Sequence, residues 1–243
     1  MIKYLEEYIN IIKKLPIKNK YTKEEILIED LLIEKENNIE IYYAPHNEYI
    51  NTNAKIFIVG ITPGFEQMST SISTARKCIE ENMKRDNIRY ECKRAGRFSG
   101  SLRKNIISML DIIKLNEGLN IKSCGELFED KDYLLHTTSL IPYSVFVKGK
   151  NYTGHTPKLI KSKFLMKYVY ENFIYDLNKL DNVLIIPLGK AVEEVLDKLV
   201  EEKLIKEENI LKGFPHPSGA NGHRLTQLEE NKENMIQIIK NRF

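Results

Sequence analysis

Apolar residues recur at helical spacing early in the chain, at Leu5, Ile9 and Ile12 and again at Ile26, Leu27 and Leu31, with Pro16 interrupting them. That pattern predicts two or three helices over residues 1–36. The period then shortens. Residues 39–43 form a brief apolar run, and Lys55-Ile-Phe-Ile-Val59 has the β-branched and aromatic content of a buried strand, stopped by Gly60. Residues 133–141 and 182–186 read as further strands, closed by Pro142 and by Pro187 with Gly189, and 209–214 as a fourth before Pro215. Helical patterns fill the intervals at 73–83, 102–115, 158–178, 190–202 and 226–241. A loop with Gly96, Ser99 and Gly100 and a long polar loop over 148–157 separate them.

Strands alternating with helices predict an α/β fold, a three-layer α/β/α sandwich around a central, mainly parallel sheet of four strands. Residues 1–50 are expected as an N-terminal helical extension packed on a core of residues 51–243. In an open sheet of this kind the ligand crevice lies beyond the carboxyl ends of the strands. Segments 60–64, 136–142 and 215–221 are therefore expected to face one another.

The chain has 243 residues, 42% of them hydrophobic and 29% charged, which excludes a disordered or fibrous protein. No apolar run reaches the ~20 residues that cross a bilayer. The opening Met1-Ile-Lys-Tyr-Leu-Glu-Glu places acids where a signal peptide would be apolar, so the expected location is cytoplasmic. Cys78, Cys92 and Cys124 are odd in number and lack C-x-x-C spacing, which predicts plain thiols and no metal.

The net charge is only +3, but it is unevenly distributed. Residues 76–105 hold ten Lys/Arg against four Asp/Glu, and residues 145–170 hold Lys148, Lys150, Lys158, Lys161, Lys163 and Lys167 with no acid. Such segments suit phosphates, with solvated lysine-rich faces as the plainer alternative.

Gly60-Ile-Thr-Pro-Gly-Phe65 is a strand-to-helix turn whose glycines permit close backbone approach and whose proline fixes the loop. It lacks the Lys-Ser/Thr of a P-loop and does not fit G-x-G-x-x-G. Taken with Phe214-Pro-His-Pro-Ser-Gly-Ala-Asn221, it resembles the uracil-DNA glycosylase superfamily. Three further segments resemble the same family in the same order. They are Gly96-Arg-Phe-Ser-Gly-Ser-Leu-Arg-Lys-Asn-Ile106, Leu134-Leu-His-Thr-Thr138 and Val183-Leu-Ile-Ile-Pro-Leu-Gly-Lys-Ala191, so the likeness spans about residues 53–240.

The resemblance implies a uracil-DNA glycosylase-like domain and a role for each matched residue. His216 would stabilise the departing base, and Thr62 would position the water. Gly60, Ile61, Pro63, Gly64 and Phe65 would line the base pocket, with Phe98 stacking on the base and His136, or Thr138 in a register shifted by two, reading its edge. Ser101, Asn105 and Ser218 would contact phosphates, with charge from Arg97, Arg103, Arg224, Lys148 and Lys150, while Gly219, Ala220 and Asn221 belong to the loop that enters the minor groove. Phe98 has a core reading beside this one, and His216 that of an ordinary loop histidine.

The departures from the family pattern matter as much. Thr62 stands where uracil-excising members carry Asp or Asn, and a hydroxyl orients water without acting as a base; Glu66 and Gln67 lie one turn further. His136 replaces the uracil-reading Asn. Both changes point away from plain uracil toward a deaminated or modified base, including the hypermodified bases of viral DNA. Asn151, Tyr152 and His155 of the 148–157 loop are expected to line the enlarged pocket. No matched motif carries a catalytic lysine, which implies a monofunctional enzyme without a Schiff-base lyase step; it is further expected to need no cofactor or metal and to act on DNA as a monomer. The alternatives are a non-catalytic nucleic-acid binding module of the same fold and a small-nucleotide hydrolase.

Overall fold

The computed structural model describes residues 4–98 and 100–243. Ser99 of the loop named above, and Met1, Ile2 and Lys3, lie outside the described residues. The strands are β1 (Leu32–Glu36), β2 (Ile39–Tyr42), β3 (Ile56–Gly60), β4 (Leu135–Ser139), β5 (Ser144–Val147), β6 (Lys150–Asn151) and β7 (Leu184–Pro187). The helices are α1 (Leu5–Lys14), α2 (Lys23–Ile26), α3 (Phe65–Glu80), α4 (Arg85–Gly96), α5 (Ser101–Ile112), α6 (Leu115–Gly118), α7 (Lys163–Tyr168), α8 (Ile174–Leu177), α9 (Lys190–Glu201) and α10 (Arg224–Arg242). The chain forms two compact units, one of residues 1–50, 61–97 and 139–177, the other of 51–60, 98–138 and 178–243. Residues 4–50 thus belong to the same compact unit as 61–97 and 139–177.

The first unit contains an antiparallel sheet in the order β1-β2-β5-β6. Its outer hairpins were hidden by polar residues. Glu36 pairs with Ile39 across Asn37-Asn38, with Asn37 at φ 53. Val147 pairs with Lys150 across Lys148 and Gly149, both at positive φ, the arrangement whose twist matches a two-residue hairpin. Residues 32–36 are therefore a strand where the periodicity predicted helix, and the 148–157 loop begins as a hairpin. The buried partners Ile39 and Ile41 on β2 supply the apolar surface that β1 lacks.

This unit also buries charge. Lys93 on α4 donates to Asn47 Oδ1 at 2.9 Å, and Asn47 Nδ2 donates to the Pro142 carbonyl at 3.0 Å. Glu48 accepts from the Leu5 amide at 3.0 Å, from Arg89 Nε at 3.1 Å and from the Tyr43 hydroxyl. Beside them α4 passes so near His46 that a Cβ at Gly96 would stand 3.1 Å from the histidine's Cβ. Burial pushes His46 down to about 3, Lys93 down to about 7 and Glu48 up to about 7.

The second unit contains the sheet β4-β3-β7. β3 and β7 are parallel, with Ile56 opposite Leu184 and Val59 opposite Pro187, and the Lys55 amide donates to the Leu134 carbonyl at 2.9 Å where β3 meets the chain entering β4. Ile56, Ile58, Leu184 and Ile186 pack with Ile106, Met109 and Leu110 of α5 and with Leu228, Met235 and Ile239 of α10. By the strand period Phe57 and Val59 face the other way, where they are equally buried. The α/β class is as expected, with a parallel sheet flanked by helices. The sheet has three strands, however, because most of 209–214 is not extended: Glu207–Asn209 is a 3-10 turn and the chain turns again at Lys212–Gly213. The segment contributes one parallel bridge, Ile210 to Ile185, and a 2.8 Å bond from the Leu211 amide to the Ile185 carbonyl, before Gly213 (φ 84) turns the chain.

His46 and Glu48 pull stability in opposite directions as pH falls. The unfolded chain protonates His46 first, from about pH 6.5, so this group's contribution to stability is lost between about 6.5 and 3. The folded chain protonates Glu48 first, so stability is gained between about pH 7 and the ordinary carboxylate range. Removing one group exposes the other. From pH 6.5 to 4.5 the unfolding free energy of Glu48→Gln, measured by urea denaturation, should fall by up to about 1.4 kcal/mol per pH unit, and that of His46→Leu should rise. Parallel profiles in the two variants would contradict this.

Candidate active site

Beyond β7 the chain turns at Gly189 (φ 89) into α9, and the Gly189 amide donates to the Phe214 carbonyl at 3.1 Å. A Cβ at position 189 would stand 2.8 Å from His216 Cβ and 3.2 Å from its amide nitrogen. Only glycine allows the 215–221 loop to lie there. Pro215 and Pro217 are buried while His216 is exposed. The Ser218 amide donates to His216 Nδ1 at 3.2 Å, and Asn221 Nδ2 donates to the His216 carbonyl at 3.1 Å. Asn105 Nδ2, from α5, donates to the Pro217 carbonyl at 2.8 Å. An accepting Nδ1 leaves the proton of the neutral ring on Nε2, so the loop presents His216 as an N–H donor.

Several residues expected on phosphates thus have internal partners. Asn105 and Asn221 hold the loop, Ser218 Oγ accepts from the Ala220 amide at 3.2 Å, and Arg224 donates to the Asn221 carbonyl at 3.2 Å. Arg103 Nε donates to the Phe98 carbonyl at 2.6 Å, its guanidinium 5.4 Å from the Phe128 ring centre. Gly219 and Ala220 at the loop tip and Ser101 at the start of α5 are exposed.

The base-binding candidates of this unit differ in accessibility. Phe98 is 8% exposed and packs in the core with Ile106 and Phe214, which fits its core reading. Its φ of 35 is strained for a bulky residue. His136 is 1% exposed and stacks on Phe57 with ring centres 4.9 Å apart, its Nδ1 3.5 Å from the Asn51 amide. Thr138, two residues on and on the same face of β4, is 3% exposed, and its Oγ1 has no hydrogen-bond partner among the described residues. Gly60 ends the neighbouring strand β3.

Residues 61–67 belong to the other unit, and their polar atoms are engaged there. Thr62 Oγ1 donates to the Tyr143 carbonyl at 2.5 Å and accepts from the Val145 amide at 3.1 Å. Gln67 accepts from the Gly64 amide at 3.2 Å and donates to the Gly96 carbonyl at 3.0 Å, while exposed Glu66 pairs with Lys20 at 2.5 Å. Ile61 and Phe65 are half-buried, Pro63 is buried, and Phe65 lies edge-on to Phe146 at 6.5 Å. Asn151 Oδ1 accepts from the Phe65 amide at 3.1 Å. Tyr152 is buried, its hydroxyl on the Pro157 carbonyl at 2.5 Å, and His155 is exposed.

The two basic segments differ in kind. In the first, Arg76 pairs with Glu80, Arg89 with Glu6, Glu48 and Asp86, and Arg94 with Glu91, while Lys93 and Arg97 are buried. In the second, Lys148, Lys150, Lys161 and Lys163 are exposed with no ion pair among the described residues, and Lys167 pairs with Glu34 at 2.6 Å. The cysteines are buried thiols, and no group of three or more His, Cys, Asp or Glu among the described residues could hold a metal. No described helix is long and apolar enough to cross a membrane.

Two residues escaped the sequence reading as site determinants. Gly189 was visible as a strand-ending glycine within the matched Val183–Ala191 segment, but not as the seat of His216. Asn51 donates from Nδ2 to the Tyr133 carbonyl at 2.8 Å and the Leu135 carbonyl at 3.0 Å, anchoring the entry to β4, and a lone asparagine carries no local signal for that.

These features define an α/β protein with a histidine-bearing loop lodged at the carboxyl end of a three-stranded parallel sheet. Over 237 residues it is 41% identical to the uncharacterized protein YoxB of Bacillus subtilis strain 168, covering 97% of this chain and 92% of that one. It belongs to the same family as that protein. No protein-family model matches the chain. The crystal structure of wild-type SMUG2 from Pedobacter heparinus is similar over 99% of this chain and 98% of that one, at a TM-score of 0.46 and 17% identity.

The two threonines should separate cleanly in stability. Thr62→Val leaves a backbone donor and a backbone acceptor without their partner and should cost about 1–3 kcal/mol. Thr138→Val removes a hydroxyl that has no partner among the described residues and should cost less than about 0.5 kcal/mol. Urea denaturation of the two variants checks the assignment; equal losses would refute it.

Proposed function

We propose that this chain is a monofunctional DNA glycosylase of the uracil-DNA glycosylase superfamily. It extrudes a non-standard base, deaminated or hypermodified as in some viral DNA, and hydrolyses its N-glycosidic bond to leave an abasic site. The observation that carries this reading is the 3.2 Å hydrogen bond from the Ser218 amide to His216 Nδ1, which in the neutral ring assigns the proton to Nε2. Cleavage passes through an oxocarbenium-like sugar while negative charge grows on the departing base. A fixed, neutral N–H aimed at that charge stabilises the transition state more than the ground state.

The Thr138 hydroxyl, both donor and acceptor, suits the reading of a base edge at the carboxyl end of β4. Exposed Lys148, Lys150, Lys161 and Lys163 suit the phosphate backbone. Thr62 and Gln67 are tied to backbone groups, which leaves leaving-group activation as the main catalytic effect, and an oxocarbenium-like sugar needs little push from the nucleophile. The same engagement of Thr62 and Gln67 favours a second reading, a nucleic-acid binding module of the same fold without hydrolysis.

Incubation with a panel of DNAs carrying deaminated and virus-derived modified bases, assayed for released base and alkali-labile sites, separates the two. His216→Ala should slow single-turnover excision by about 10²–10³ with DNA affinity within a few-fold. Replacing Lys148 and Lys150 together should weaken binding to all sequences alike and reduce the salt slope by about 1–2. No abasic site from any DNA on the panel would leave the binding module as the function.

A further inference from the structure

We infer that Asn105 is a positioning residue that decides which nitrogen of His216 carries the proton, acting through the single peptide group between Pro217 and Ser218. Two hydrogen bonds in series meet on that group. Asn105 Nδ2 donates to its carbonyl oxygen at 2.8 Å, and its N–H, that of Ser218, donates to His216 Nδ1 at 3.2 Å. The Pro217 oxygen can only accept, so the Asn105 carboxamide must turn its NH₂ toward it.

A peptide group is planar, and a bond to its oxygen polarises it and strengthens its N–H as a donor. The proline ring fixes φ at Pro217, so ψ of Pro217 and φ of Ser218 are the rotations left to swing this plane. Asn105, borne on α5, removes that freedom. The rest of the loop is held independently, by Asn221 on the His216 carbonyl and by the close seat against Gly189. What Asn105 adds is therefore the orientation of one amide, and with it the tautomer.

The catalytic meaning rests on the glycosylase reading of His216: the opposite tautomer would turn a lone pair, not a proton, toward the leaving base. The positioning itself does not depend on that reading. The test is ¹⁵N NMR of the His216 ring together with hydrogen exchange of the Ser218 amide, in the wild type, Asn105→Asp and Asn105→Ala. Asn105→Asp keeps the shape and replaces the donor by an oxygen that repels the Pro217 carbonyl.

In the wild type the proton should reside on Nε2 and the Ser218 amide should be protected. In both variants the tautomers should mix and Ser218 exchange should accelerate about tenfold or more, with the rest of the amide spectrum unchanged. Excision by Asn105→Asp should fall about tenfold in kcat, with KM for DNA little altered. An unchanged tautomer and unchanged Ser218 exchange in both variants would overturn the inference. So would a loss of DNA affinity with the tautomer intact, which would return Asn105 to a phosphate. If the wild type excises no base, the glycosylase reading fails on its own, and the NMR comparison still decides the role of Asn105.

Discussion

The loop carrying His216 can rest on the end of β7 only because residue 189 has no side chain: a Cβ there would stand 2.8 Å from that of the histidine. The Gly189 amide also holds the Phe214 carbonyl, and Phe214 is rooted in the core with Ile106 and Ile186. Upstream, Leu211 is bonded to Ile185 of β7. The position of the imidazole therefore follows from the sheet through a few short, rigid links. A fourth strand reduced to one bridge still performs the task that matters, delivering Pro215 to Ser218 to the carboxyl end of the sheet at a fixed depth.

The two glycine-containing motifs have come to serve different ends. In the first, the hydroxyl of Thr62 joins β5, Gln67 caps α3 and reaches the last residue of α4, and Asn151 holds the Phe65 amide, so the motif acts as a structural joint. In the second, the hydrogen bonds converge on orienting a single ring. Charge divides in the same manner. The arginines of residues 76–105 are largely paired or buried and knit their unit together, whereas the lysines on and beyond the β5–β6 hairpin remain in water. Under the proposed function, the salt-sensitive attraction to phosphates falls to the second group.

Much of this was legible in the sequence. Lys55-Ile-Phe-Ile-Val59 and Val183-Leu-Ile-Ile186 are continuous apolar runs because the parallel sheet is buried on both faces, and each lies within two residues of its strand. The antiparallel sheet was not, since Glu34, Lys35 and Glu36 read as an exposed helix face and their pairing with β2 is decided by partners elsewhere in the chain. Asn37-Asn38 and Lys148-Gly149 were turn signals hidden among polar residues. Motif spacing singled out His216, Asn105 and His136, or Thr138 in the shifted register, but not what each would touch. Whether an asparagine meets a phosphate or a carbonyl depends on what the fold brings within 3 Å of it.

A glycosylase must favour the separated charges of its transition state, whatever base it removes, and a binding module has no reason to. The most direct measurement compares the affinity of the protein for two DNAs, one with a neutral tetrahydrofuran abasic residue and one with a cationic pyrrolidine in its place, which mimics the oxocarbenium sugar. Transition-state mimics bind at least about 10²-fold more tightly than uncharged ground-state counterparts. A preference of that order for the pyrrolidine DNA is the predicted result. Equal affinity for the two would contradict it.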